Sequence, residues 1–300
     1  MPKRYRDIVG DGGSGILGQV QSMQEALARR LASIRWTVAV MSGKGGVGKT
    51  TLTANLAVAL AEMGLAVGAL DADINGPALA KVLGVREQRL GLSAEGVRPA
   101  EGPLGVRVVS MDLLLSRDDA PVVWDAPTQA DAHVWRANME VGALREFLAD
   151  TEWGKLDLLL LDLPPGSDRL SHVTSLLPGL SGALVVTIPS DVSLIVVRRS
   201  LSLARELGVR LLGVVENMVG YRCPDCARIQ PLFPPERGVE GLAREAGVPY
   251  LGGLPFDPVV AALSDAGRPA FLAEGAEHLR LLYGQVAREL VRLLENPPGR

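Results

Sequence analysis

Short apolar runs, each closed by turn residues and separated by helical stretches, recur along the chain and constrain its fold more than any other feature. They are "WTVAVMS" (36–42), "LAVGALDAD" (65–73), "LDLLLLDLPPG" (156–166), "GALVVTIPS" (182–190), "RLLGVVENM" (210–218) and "PYLGGLPFD" (249–257). Their apolar stretches are nearly continuous rather than alternating, so strands made from them need burial on both faces. Between them lie amphipathic stretches such as "TTLTANLAVALAEMG" (50–64) and "SLIVVRRSLSLARELG" (193–208). The pattern predicts an α/β fold of three layers, with a mainly parallel central sheet covered by helices on both faces. Residues 84–135, rich in Gly, Pro, Asp and Arg, break the rhythm and read as an elaborated crossover with one strand near 106–115. Residues 16–34 have helical spacing at Ile16, Val20, Met23, Leu27 and Leu31. The expected organisation is a lead and short helix over 1–35, then a single domain over 36–300 that ends in an amphipathic helix.

Composition narrows the function classes. Hydrophobic residues are 47% and charged residues 22%, enough apolar material for a sizeable core. Net charge is −3 without a long basic run, which argues against nucleic acid as a partner. The first 15 residues lack the apolar run of a secretory signal, and no stretch reaches the roughly 18 apolar residues of a membrane span. A cytoplasmic protein with no membrane partner is expected. The two cysteines, Cys223 and Cys226, are then better suited to metal or redox chemistry than to a structural disulfide.

Gly43, Lys44, Gly45, Gly46, Val47, Gly48, Lys49 and Thr50 satisfy G-x-x-x-x-G-K-[ST], with Thr51 following in the helix. The motif lies between an apolar strand and an amphipathic helix, where a P-loop must lie. Its glycines let backbone N–H groups curl around phosphate oxygens, and the helix adds its positive end. Lys49 reaches the β- and γ-phosphates of ATP, and the Thr50 hydroxyl is a ligand for Mg²⁺. Asp162, at the end of "LDLLLL", has the position of a Walker-B aspartate holding the Mg²⁺ shell, although an acid also caps ordinary strand ends. Gly166 in the stiff turn after it is a candidate γ-phosphate sensor. Asp71 and Asp73 lie two apart at another strand end, hence on one side if the chain stays extended. One suits Mg²⁺ through water and the other suits orienting or deprotonating the attacking water; an ordinary strand-end turn is the alternative.

Together these segments resemble the deviant-Walker-A ATPases, the group containing MinD, ParA and the nitrogenase iron protein, and within it the Mrp/ApbC-type iron–sulfur cluster carriers. The resemblance runs from about Trp36 to Gly267 on "SGKGGVGKTT", "DADINGP", "VWRANMEVGALREFL" (134–148), "LDLPPG", "GVVENM" (213–218), "CPDC" (223–226) and "GVPYLGGLPFDP" (247–258). It implies that Lys44 acts across a homodimer on the nucleotide of the facing subunit, as an arginine finger does. It further implies that Asp73 positions water, that Asp71 lies near Mg²⁺, and that Asn217, with Pro255 and Asp257 on the same side, meets adenine. Two departures bear on hydrolysis and switching. Ser167-Asp168-Arg169 stands where the carriers have Thr-Gly-Asp, and "WRANM" stands where they have Trp-Arg-Gly-Pro-Met. The small N-terminal domain of many relatives has no counterpart in the residues before Trp36.

Two thiolates do not close a four-ligand site, and His133, His172 and His278 are dispersed. A dimer would supply four sulfurs, suiting a [4Fe–4S] cluster or Zn²⁺, while the C-x-x-C spacing alone also fits a redox pair. With the resemblance, a labile cluster shared across the dimer leads, loaded by a donor and passed to apo iron–sulfur client proteins. The alternative is a MinD/ParA-like positioning or partitioning ATPase, which would use the C-terminal amphipathic helix on a membrane or a DNA-binding surface.

Overall fold

The computed structural model describes residues 16–115, 132–166, 168–233 and 238–297, with side chains described from residue 24 in the first helix and from residue 139 in the helix beginning at Ala132. In chain order the main elements are α1 (Ile16–Leu31), β1 (Ile34–Ser42), α2 (Lys49–Glu62), β2 (Val67–Asp71), α3 (Leu79–Val82), β3 (Gly91–Leu92), β4 (Val97–Arg98), β5 (Ala100–Glu101) and β6 (Arg107–Val109). They continue with α4 (Ala132–Asp150), β7 (Leu156–Asp162), α5 (Arg169–Leu176), β8 (Gly182–Thr187), α6 (Asp191–Glu206), β9 (Leu211–Arg222), β10 (Ile229–Gln230), α7 (Val239–Glu245), β11 (Tyr250–Phe256), α8 (Pro258–Asp265) and α9 (Glu277–Glu295).

The apolar runs become the strands of one sheet in the order β10-β9-β8-β1-β7-β2-β6-β5, with β11 also paired to β9. Strands β2, β7, β1, β8, β9 and β11 run parallel to their neighbours, whereas the short β5 and β10 pair antiparallel. Each central strand feeds both cores. Val38, Val40, Leu158, Leu160, Leu184 and Val186 enter one core with α2 and α9; Ala39, Met41, Leu159, Leu161, Ala183 and Val185 enter the other with α4, α5 and α6. This is why the runs do not alternate: every second residue is inside on either side. Leu158 to Leu161 are each 0% exposed, and full burial of one leucine is worth about 1.5–3 kcal/mol, so β7 anchors the middle of the sheet.

The crossover contains β3 to β6, and its strand is shorter than expected: β6 ends at Val109 and a 3₁₀ turn follows over Met111–Leu113. Residues 116–131 of that segment lie outside the described residues. Helix α1 contributes Leu27 to the core it shares with α4. Helix α9 buries Leu279, Tyr283, Val286, Ala287, Leu290 and Leu294 in its own domain, the packing its apolar stripe predicts. Among the described residues no helix is long and apolar enough to cross a membrane.

Candidate nucleotide site and cysteine hairpin

Because β1, β7 and β2 are adjacent and parallel, the segments after them emerge at one edge of the sheet, where open α/β folds bind ligands. The loop after β1 is the glycine-rich motif. Gly46 and Gly48 have φ of 76° and 80°, a region that penalises any Cβ. A Cβ on Gly43 would stand 2.5 Å from Val196 Cγ1, so α6 closes one wall of the loop. Helix α2 starts from Gly48 without a side-chain cap, leaving its first N–H groups for an anion.

Lys49 and Asp162 form a buried pair, Nζ to Oδ1 2.7 Å, with the two side chains 7% and 0% exposed. Thr53 Oγ1 donates to the same oxygen at 2.7 Å, and Thr50 Oγ1 donates to Oδ2 at 2.6 Å. A hydroxyl beside a carboxylate is a hard-oxygen donor set that fits Mg²⁺, so Thr50 and Asp162 are the residues that would hold it. Thr53 escaped the sequence reading, although it lies one helical turn after Lys49 and so on the same face.

Asp71 faces Asp162 across the β2–β7 register. Its carboxylate is 1% exposed and accepts from the N–H groups of Asp73 (3.1 Å), Ala78 and Leu79 (both 2.9 Å) and from Ser110 Oγ (3.1 Å). Burial, then the charge of Asp162, pushes it up to about 7, against the opposing pull of the Leu79 and Ala78 amides and Lys49. The bond from Asp73 N–H shows that β2 does not stay extended past Asp71, so the two acids do not share a side by alternation. Asp73 instead sits half-buried in the following loop and accepts from Gly76 N–H at 3.1 Å.

Lys44 is half-buried in the same loop, its carbonyl held by Ser42 Oγ at 3.0 Å. Among the described residues no carboxylate pairs with its amine. Gly166 has φ of 116° and its N–H bonds to Ser42 carbonyl at 3.1 Å, which ties the turn after β7 to the P-loop. Ser167 lies outside the described residues.

Asn217, on β9, meets the P-loop, whereas the bonds of Asp257, after β11, run to α8, α9 and Arg222. Asn217 Nδ2 donates to Val47 carbonyl at 2.8 Å, and a Cβ on Gly48 would stand 2.2 Å from that nitrogen. The side chain is thus a strut under the P-loop. Asp257 is 3% exposed, caps α8 through Val259 N–H at 3.0 Å, and takes His278 Nε2 at 2.9 Å and Arg222 Nη1 at 3.5 Å on its other oxygen. Its carboxylate is therefore fully engaged inside the protein. Pro255 lies on β11 beside it.

Beyond Asn217 the strand β9 bends. Met218 has φ of 57°, and four steps on β9, from Asn217 to Tyr221, face two on β11, from Leu254 to Phe256. The strand then enters a hairpin with β10, whose tip is Cys223-Pro224-Asp225-Cys226. Cys223 N–H donates to Arg228 carbonyl and Ala227 N–H to Cys223 carbonyl, both at 2.9 Å, so the tip is a closed turn rather than the start of a helix. Cys223 is half-buried and Cys226 exposed. The amides of Cys226 and Asp225, then the Cys226 thiol and weakly Arg222, hold the Cys223 thiol below its ordinary range against a small opposing effect of burial. Among the described residues no group of three His, Cys, Asp or Glu could hold a metal ion. His172 sits on α5, His278 is engaged with Asp257, and the side chain of His133 lies outside the described residues.

Comparison with known proteins places the chain in a family. The chain is 39% identical over 279 residues to an iron-sulfur cluster carrier protein of Saccharolobus solfataricus, covering 93% of this chain and 90% of that one. It is 38% identical to the protein of that name in Methanocaldococcus jannaschii, over 84% of each chain. A nucleotide-binding protein from Archaeoglobus fulgidus, solved in complex with ADP, superposes with a TM-score of 0.69 at 36% identity, covering 82% of this chain and 92% of that one. The cell division ATPase MinD of Pyrococcus furiosus superposes with a TM-score of 0.58 at 26% identity, covering 86% and 99%. Residues 33–291 match the ParA family described as the NUBPL iron-transfer P-loop NTPases, and the chain belongs to that family.

Proposed function

We propose that the chain is an ATP-hydrolysing homodimer that carries a labile [4Fe–4S] cluster between its subunits in the cytoplasm and passes it to apoproteins. The observation that carries this reading is the hairpin: two thiols at an exposed tip, with no third ligand among the described residues. A second copy supplies the missing sulfurs. Apolar side chains near both sites support such a contact, with Val192 and Ile195 on α6 at 67% and 55% exposed and Ile229 beside the hairpin at 53%.

In this reading ATP displaces Lys49 from Asp162 onto the phosphates, beneath the free N–H groups of Gly43 to Thr51. Mg²⁺ bound by Thr50 and Asp162 would neutralise phosphate charge. Asp73 orients the water that attacks the γ-phosphorus as the bond to ADP breaks, and Lys44 of the facing copy meets the charge that develops. Asp71 supports the loop behind Mg²⁺. Adenine lies against Asn217 and the Pro255–Asp257 backbone, since the Asp257 carboxylate is engaged elsewhere. The alternative of a MinD/ParA-like positioning ATPase calls for a free amphipathic helix, whereas α9 buries its apolar side in the core.

Anaerobic reconstitution of wild type and of a Cys223→Ala/Cys226→Ala variant, read by iron and sulfide content and by native mass, tests the proposal. About four iron and four sulfide per dimer in wild type and none in the variant, with ATP binding equal in both, is the expected result. Equal iron in both proteins refutes it.

A further inference from the structure

Arg169 is one of the residues by which this chain departs from the carriers' usual pattern, and its guanidinium is already engaged. Nη1 donates to Glu140 Oε2 at 2.7 Å, with the side chains 30% and 13% exposed. The other oxygen of Glu140, Oε1, accepts from Asn75 Nδ2. Glu140 belongs to α4, an element separate from both the loop after β2 and the turn after β7. Asn75 lies in the loop after β2, two residues beyond Asp73; Arg169 opens α5, three residues beyond Gly166. One carboxylate on a third element therefore bridges the loop that contains Asp73 and the start of the helix after Gly166.

We infer that Glu140 is a positioning residue that holds the Asp73 loop and the Gly166 loop in one mutual arrangement for hydrolysis. The inference rests on the ATPase reading for its effect on rate, but not for the bridge itself. Each loop has a separate anchor, Asp71 on one side and the Ser42 carbonyl on the other, and the strand ladder joins them only at their roots, where Ala72 N–H donates to Asp162 carbonyl at 3.0 Å; farther out they need a side-chain link. The Glu140 bridge supplies it. A charge-assisted bond donated to a largely buried carboxylate is strong and directional, and the second oxygen, accepting from Asn75, then sets where Asn75 stands. Arg169 acts through Glu140 and serves as its counter-ion rather than as a phosphate ligand.

Two measurements on the full chain test this. Hydrogen exchange is compared in wild type and Glu140→Ala without nucleotide. Faster exchange in both loops, 72–78 and 163–169, with the P-loop unchanged, is expected; unchanged exchange, or a change in only one loop, overturns the bridge. ATP turnover is then compared with affinity for a fluorescent ATP analogue. Glu140→Ala should lower kcat about tenfold, equal to about 1.4 kcal/mol, while the dissociation constant stays within about twofold. The reversed pair, Glu140→Arg with Arg169→Glu, should recover most of the loss shown by either single reversal. Wild-type kcat in Glu140→Ala, or a reversed pair no better than the single changes, refutes the role in hydrolysis. If wild type itself does not hydrolyse ATP, the ATPase reading falls, and the exchange experiment still decides the bridge.

Discussion

The buried Lys49–Asp162 pair offers a direct test of how the nucleotide site is held without nucleotide. Asp162 accepts three short bonds, from Lys49, Thr53 and Thr50, and has no exposed surface. Lys49→Met leaves that carboxylate without its cation, beside Asp71. Asp162→Asn leaves an ammonium stranded at 7% exposure. Removing one partner of a buried pair costs about 3–5 kcal/mol, because the survivor stays buried without compensation. The Lys49→Met/Asp162→Asn double variant strands no charge, so it should lose only about 1–2 kcal/mol, the scale of hydrogen bonds left imperfect. Urea unfolding of all four proteins without nucleotide gives the coupling energy, which should reach at least about 3 kcal/mol. A double variant as unstable as the sum of the singles would mean that the pair is not what holds these groups, and the reasoning would fail.

Asp71 makes stability depend on pH. Its folded pKa of about 7 lies above the ordinary 3.8, so the folded state keeps the proton that the unfolded chain releases. Unfolding free energy should therefore fall as pH rises from about 4 to about 7, by about 4 kcal/mol in all, and level off above. Subtracting the profile of Asp71→Asn isolates this part, and a flat difference between the two profiles refutes it. At the hairpin, the amides around Cys223 favour its thiolate. Iodoacetamide at pH 7, followed by peptide mass analysis, should label Cys223 more rapidly in wild type than in an Asp225→Pro/Cys226→Ala variant, which removes the residue-225 amide and the Cys226 thiol as donors; equal rates count against their effect. Asn217→Ala should lower stability by about 1–2 kcal/mol and weaken ATP binding severalfold through a loosened P-loop, measured by urea unfolding and a fluorescent nucleotide. Unchanged nucleotide affinity would remove Asn217 from the site.

The P-loop was legible because its chemistry is local: eight contiguous residues between a strand and a helix contain the whole signal. The sheet was legible because burial on both faces leaves an unbroken apolar run such as Leu158–Leu161. The extended reading of Asp71 and Asp73 failed for a local reason that periodicity does not see. The carboxylate of Asp71 captures the N–H of Asp73 and turns the chain. Asn217 and Asp257 were singled out, yet their bonds to Val47, Arg222 and His278 join residues far apart in sequence, so no local pattern displays them. Glu140 lies within the stretch 134–148 that carries the resemblance, yet nothing there singled it out, and only the fold brings Asn75 and Arg169 to it.

The left-handed Met218 and the extra residues around it separate Asn217 from Cys223 along a single strand. Five residues of extended chain make an arm of roughly 17 Å, so a rotation of about 10° at that joint would sweep the thiols through roughly 3 Å. In a symmetric pair both arms move, and the gap between opposing sulfurs changes by up to about twice that amount. That range exceeds a metal–sulfur bond length of about 2.3 Å, enough to make the difference between gripping a cargo and letting it go. In the proposed homodimer a small change under the P-loop would thus be geared up, by strand length, to the scale of bond breaking at the tip.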